Sequence, residues 1–217
     1  MNETFTALSV SDLWFVLYGA LGTIALTAVS LAAGTVLAII AGVGRASDKA
    51  YVAVPLGVLA DVVRSVPVII QMILANSVLS LSGLKTPPFV TGIIVLSLYM
   101  MAYGGELVRG GIQSVPLPTR KAARSLGMSL VQDFVYVTFP IGFRTILPSS
   151  VGLVGGLIKD TSLAAVLGYI ELLRTSQILI NRTQEPLLIL TGVGVAYFAL
   201  CFPLTAWVDH FEGKIRR

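Results

Sequence analysis

Charge is what this chain has least of. Only 12% of its 217 residues are Asp, Glu, Lys or Arg, where soluble domains carry about 25%. That scarcity argues against an ordinary water-soluble domain. A single cysteine, Cys201, excludes an internal disulfide and any multi-cysteine metal site. Lying in a late apolar run, it reads as a small packing residue. The single histidine, His210, excludes a histidine cluster; it follows the last apolar run, where an interfacial position is expected. No G-x-x-x-x-G-K-[ST] loop is present, so the chain is not itself a P-loop nucleotide hydrolase. There is likewise no His-Glu-x-x-His and no nucleophile elbow, and no metal or catalytic residue is assigned. Residues 1–14 contain no lysine or arginine, so the basic n-region of a secretory signal is missing. The first apolar run is also too long for a signal peptide and reads as a retained span. The net charge of +4 is modest, and no nucleic-acid partner is expected.

What the chain has in abundance is apolar sequence. Hydrophobic residues make up 55% of it, and the mean hydropathy is +0.87. A bilayer core of about 30 Å needs roughly 20 apolar residues as helix. Five segments qualify, giving expected spans at about 14–43, 52–82, 88–108, 145–170 and 186–208. The first lies within a stretch from Leu13 to Gly44 that carries no charge at all. The runs are long and continuous, not alternating decapeptides, so membrane strands are excluded. The expected class is an all-α integral membrane protein forming one domain over residues 1–217. Pro67 is expected to bend the second span by freeing a backbone carbonyl. Gly152 and Gly156 make a G-x-x-x-G pattern that permits close helix contact.

Lysine and arginine set the expected orientation. With five spans, one side collects Arg45, Lys49, Arg109, Arg120, Lys121, Arg124, Arg144, Lys214, Arg216 and Arg217. The other holds only Lys85, Arg174 and Arg182. The basic side is cytoplasmic, which places the N-terminus outside, the C-terminus inside and the connection 109–144 in the cytoplasm.

That connection is a poor design for a simple loop. Pro116 and Pro118 break one helix and start another. On a helix, Thr119, Ala122, Ala123 and Leu126 share one face, and Arg120, Lys121, Arg124 and Ser125 the other. Small alanines let another surface come close. Gly127 suits a helix C-terminus, and Ser129 with Gln132 suits a capping box for the next helix. The residues alone allow two readings: a short helix that docks on a partner, or an amphipathic helix lying on anionic lipid.

The segment KAARSLG followed by VYVTFP resembles the "EAA" signature of bacterial ATP-binding-cassette (ABC) importer permeases, with Ala122, Ala123, Gly127, Val137 and Pro140 in matching positions. Lys121 and Phe139 depart from it, standing where the family usually has glutamate and leucine. AYGGELVRGGIQSVP, RSVPVIIQ and LIKDTSLAAVLG resemble three further blocks of the polar amino acid permeases, in the expected order, so the similarity extends from about Leu21 onward. The resemblance implies a type I ABC importer permease fold in a bacterial inner, cytoplasmic membrane. It implies that Thr119, Arg120, Lys121, Ala122, Ala123, Leu126, Gly127 and Met128 form a coupling helix that docks on a cytoplasmic ABC ATPase dimer. It further implies a second permease subunit, identical or paralogous, and an extracytoplasmic amino acid-binding protein. ATP and Mg would be bound by the ATPase, and no cofactor by this chain.

Ionisable groups inside a membrane are expensive and usually face a cavity or one another. Arg64, Lys159 and Asp160 fall well inside apolar segments. A zwitterionic amino acid offers a carboxylate to a cation and an ammonium group to an acceptor. Arg64 can give a bidentate carboxylate contact, Asp160 is the candidate for the ammonium group, and Gln71, Tyr103 and Ser162 can supply neutral hydrogen bonds. Against this, Asp61 with Arg64 and Glu106 with Arg109 are i,i+3 pairs that can neutralise themselves. Lys159 with Asp160 can instead pin neighbouring helices. The resulting expectation is a permease subunit forming the path for a polar amino acid. The alternative is a self-contained membrane channel or a membrane scaffold protein.

Overall fold

A computed structural model of the chain describes residues 8–215, with side-chain surroundings up to Trp207. The cation-free residues 1–7, Arg216 and Arg217 and the side chain of His210 therefore lie outside the described residues. The described residues fold into helices joined by short turns: α1 (Val10–Arg45), α2 (Ala50–Ser65), α3 (Val68–Leu81), α4 (Pro88–Gln113), α5 (Leu117–Ser125), α6 (Leu130–Asp133), α7 (Phe139–Asp160), α8 (Leu172–Thr183) and α9 (Pro186–Ile215). A π-helical turn, Phe134–Thr138, joins α6 to α7, and a 3-10 segment, Thr161–Leu167, follows α7. Four stretches are long and apolar enough to cross a membrane: Val10–Arg45, Pro88–Gln113, Leu130–Leu167 and Pro186–Trp207. A fifth is obtained by taking α2 and α3 together as one sharply bent pair.

The helices depart from the expected segments for local reasons. In the second, Pro67 does more than bend the chain. Val66 lies at φ −101° and ψ 130° and Pro67 at ψ 135°, both outside helical values, so the segment is two helices. Steric pressure from a proline ring disfavours the α region for the residue before it, and here Val66 gives way. The third expected span, α4, continues past 108 to Gln113. Arg109 donates to Glu106 and to Gln113 (2.9 Å), and this ladder of i,i+3 and i,i+4 pairs supports the polar last turns until Pro116. The fourth apolar segment begins well before 145, with helical backbone from Leu130. It tightens into the 3-10 segment and stops at Gly168, which lies at φ 85°. The connection from there to α9 is itself largely helix α8.

Two compact units divide the chain. One gathers residues up to Leu31, Pro67–Leu96 and Gly155–Trp207. Its core includes the fully buried Leu26, Met72, Leu96, Leu157 and Leu172. Within it α1 runs close against the backbone near Ile170: a side chain at Gly22 would start 2.3 Å from the Ile170 carbonyl oxygen. The Tyr169 hydroxyl donates to the Gly22 carbonyl (3.0 Å), and the Leu172 amide to Thr23 Oγ1 (3.3 Å). Asp12, buried on the first turn of α1, pairs with Arg182 on the last turn of α8.

The other unit gathers Ala32–Val66, Ser97–Val154 and the C-terminal residues from Val208. Here α4 and α7 meet at Gly111 and Gly142, where a side-chain carbon on Gly142 would lie 2.6 Å from the Gly111 carbonyl oxygen. This seam is a close glycine contact of α7. Nothing lies within 4 Å of a carbon added at Gly152.

Candidate functional site

The basic segment expected to dock is built from local rules. Pro116 precedes α5 in extended backbone (ψ 134°), and Pro118 sits in its first turn, where a missing amide proton costs nothing. At the other end the Met128 amide donates to the Ala123 carbonyl (3.3 Å) and the Gly127 amide to that of Arg124 (3.0 Å). Gly127 takes the left-handed conformation, φ 89°. Together these form a complete Schellman termination. Two residues on, Ser129 opens α6 with the reciprocal box read from the sequence. The Gln132 amide donates to Ser129 Oγ (3.3 Å), and the Ser129 amide to Gln132 Oε1 (2.9 Å). The π turn then widens the register just before Pro140, whose ring would otherwise press on the carbonyl four residues back.

The faces of α5 differ from those expected. Ala123 is turned inward, 7% exposed, and seats the helix on its own chain. Arg120 is also drawn inward, its Nε 3.4 Å from Oδ2 of the buried Asp133. Thr119, Lys121, Ala122, Arg124, Leu126 and Gly127 are exposed, and Met128 is half-buried. The two alanines therefore have separate surroundings: Ala122 is open to a partner and Ala123 is not. Leu126 is 83% exposed, and Leu130, Val131, Tyr136 and the cations Lys121 and Arg124 are exposed as well. The α5 sequence LPTRKAARS contains no acidic residue to offset them.

The residues proposed to line a path fall into both units. In the unit that includes Ser97–Val154, Arg64 on the last turn of α2 pairs with Asp61 and lies 3.8 Å from Glu106 Oε2. That carboxylate also takes Arg45 Nη1 at 2.6 Å and Arg109 Nε at 3.0 Å. Arg64 thus belongs to an internal ion cluster centred on Glu106. Tyr103 is exposed on α4, its ring 4.6 Å from that of Tyr99. In the other unit, α3 packs directly on the 3-10 segment. Gln71, half-buried on the first turn of α3, therefore lies on the helix that packs against the segment carrying Ser162, which follows Lys159 and Asp160 in the chain. Lys159 is exposed on the last turn of α7 and makes no ion pair among the described residues.

Three polar centres had no assigned role from the sequence. Arg45 joins the Glu106 cluster from the end of α1. Asp133 is buried between Arg120 and Thr138. Glu171, fully buried, caps α8: its carboxylate accepts the amides of Leu173 (2.9 Å) and Arg174 (2.6 Å) and the Tyr197 hydroxyl (2.9 Å). Burial raises the Glu171 pKa, and those three donors pull against the rise.

Residues 34–217 match the family model of the binding-protein-dependent transport system inner membrane component. A probable amino-acid ABC transporter permease of Sinorhizobium fredii is 30% identical over 202 residues, spanning 93% of this chain and 87% of that protein. A nopaline transport system permease of Agrobacterium fabrum is 32% identical over 196 residues, 86% of this chain and 81% of its own length. Among solved structures, a chain from an amino acid ABC transporter crystallised with histidines superposes with a TM-score of 0.86 at 23% identity, covering 96% of this chain and all of that one.

Proposed function

Because the chain belongs to the binding-protein-dependent transport system inner membrane components, we propose that it is the permease subunit of an importer for a polar amino acid. An extracytoplasmic binding protein delivers the substrate, and separate ATPase subunits, which hold ATP and Mg, drive its entry. The chain lies in a bacterial inner membrane with α5 on the cytoplasmic side and pairs with a second permease, identical or paralogous. The amino acid cargo is supported by relatives whose names specify amino acids or nopaline.

The observation that carries this reading is α5 itself. It is a nine-residue helix closed at its C-terminal end by its own backbone hydrogen bonds. Its exposed surface of Ala122, Leu126, Lys121 and Arg124 fits a groove with an apolar floor and acidic rim. Alternating access needs a two-state element biased from both sides of the membrane, and α5 is where ATP-driven motion enters this chain. Of the path candidates, Lys159 is the best placed to meet a substrate carboxylate. Arg64 instead holds α2 to the Glu106 cluster.

The test is to purify tagged chain from native membranes in mild detergent and identify what accompanies it. A stoichiometric P-loop ATPase is expected, and Leu126→Asp should deplete it. Ala123→Asp is a poorer probe, because Ala123 packs on its own chain. A preparation free of ATPase, from membranes whose ATPase survives that detergent, would return the chain to the channel or scaffold class.

A further inference from the structure

Asp133 is the one buried carboxylate among the described residues of 97–154, 1% exposed. Its own helix does not need it, since Ser129 and Gln132 already cap α6. A carboxylate removed from water is costly unless paired, and its partners lie on either side. Arg120 Nε, from α5, is 3.4 Å from Oδ2. The Thr138 hydroxyl, from the last residue of the π turn, is 3.5 Å from Oδ1 and fully buried. Asp133 therefore joins the exposed helix α5 to the point where the chain enters α7.

We propose that Arg120 and Asp133 form a strut that carries the motion of α5 into α7, making both positioning residues for coupling ATP hydrolysis to transport. The proposal rests on the docking role of α5. By chain connection alone α5 is held at its two ends, to α4 through residues 114–116, where Val115 is buried, and to α6 through the turn at the left-handed Gly127. A rod held only at its ends can still roll about its axis; a side-chain attachment along its length fixes its angle. The one buried residue of α5 is Ala123, whose methyl group covers little surface. The foot of the strut closes the π turn through Thr138, so a change in the tilt of α5 is felt at the first residues of α7.

The experiment uses right-side-out native membrane vesicles loaded with ATP. They are supplied with the extracytoplasmic protein fraction of the same cells and a radiolabelled mixture of glutamine, glutamate, arginine and histidine. Uptake per ATP hydrolysed is measured beside retention of the ATPase on the tagged chain. Arg120→Ala and Asp133→Asn are expected to keep the ATPase bound and hydrolysing, while uptake per ATP falls between about twofold and thirtyfold, the range found for residues that transmit coupling. Arg120→Lys, which keeps the charge, should recover most of the loss. The double variant Arg120→Gln with Asp133→Asn leaves no lone buried charge and accumulates even if Arg120→Ala does not; it should be uncoupled to a similar degree.

Unchanged uptake per ATP in the double variant overturns the strut. So does loss of the ATPase from Arg120→Ala, which would make Arg120 a docking contact. If wild-type chain retains no ATPase or drives no uptake, or if Leu126→Asp leaves retention intact, the docking reading fails and the strut falls with it.

Discussion

The seam between α4 and α7 allows a sharp quantitative test. In Gly142→Ala the new carbon would sit 2.6 Å from the Gly111 carbonyl oxygen and 2.9 Å from its carbonyl carbon. Both obstacles are backbone, so no side chain can rotate away and the helices must separate. Overpacking of this kind costs about 1–3 kcal/mol, and a rigid obstacle argues for the upper end. Alanine in a helix regains about 1 kcal/mol over glycine, leaving a net loss of about 2 kcal/mol. For a chain of this size that corresponds to a fall in thermal midpoint of about 4–8 °C. Gly152→Ala, on the same helix, meets nothing within 4 Å and should be neutral or slightly stabilising. The assay is the temperature at which half of each purified variant, in the same detergent, is lost from the monodisperse peak on gel filtration. If Gly142→Ala survives heating as well as Gly152→Ala, the seam is not the close contact described.

Other consequences are equally direct. Glu106→Gln leaves Arg45, Arg64 and Arg109 around a neutral amide and should cost about 1–3 kcal/mol. Asp61→Asn, at a side chain 63% exposed, should stay within about 0.5 kcal/mol; equal thermal midpoints for the two would contradict the hub at Glu106. Glu171 binds its proton more tightly when folded than when unfolded. Its contribution is therefore greatest below the ordinary value of 4.5 and is lost as pH rises through the raised folded value. Glu171→Gln should flatten the dependence of thermal midpoint on pH across that window, and parallel curves for wild type and variant would sink the argument. Ser129→Ala removes half of the capping box at a cost of about 1 kcal/mol. It should speed hydrogen exchange at the amides of α6 while leaving those of α8 unchanged.

How much of this was legible in the sequence depends on the reach of each interaction. Pro116, Gly127, Ser129 and Gln132 act on backbone within a few positions, so the start and end of α5 and the box opening α6 follow from residue type alone. Total apolar length likewise marked the helical membrane class. Arg120 and Asp133 stand 13 positions apart, Tyr197 and Glu171 26, and Arg182 and Asp12 170; no periodicity links such partners. The split of Ala122 from Ala123 was hidden because two small apolar residues side by side look alike until a neighbouring helix covers one. At Gly152, the first glycine of the G-x-x-x-G pattern, no neighbour lies within 4 Å of an added carbon. Spacing says that a close contact is permitted, while Gly111 and Gly142, on separate helices, show where one is made. Arg64 was ambiguous from the start: its i,i+3 carboxylate was visible, but Glu106 and Arg45, which pull it into a cluster, lie on other helices.

The Schellman termination at Gly127 has a consequence for how such chains diversify. Because α5 ends on its own backbone and α6 begins on its own side chains, neither helix end takes its capping hydrogen bonds from the other helix. The outward residues of α5 can then be rewritten without unravelling α6, provided Arg120 and Ala123 keep their inward contacts. Lys121 and Arg124 occupy that freely editable surface. Whatever surface α5 meets, a lineage or an engineer can refit the chain to it by exchanging a handful of exposed side chains.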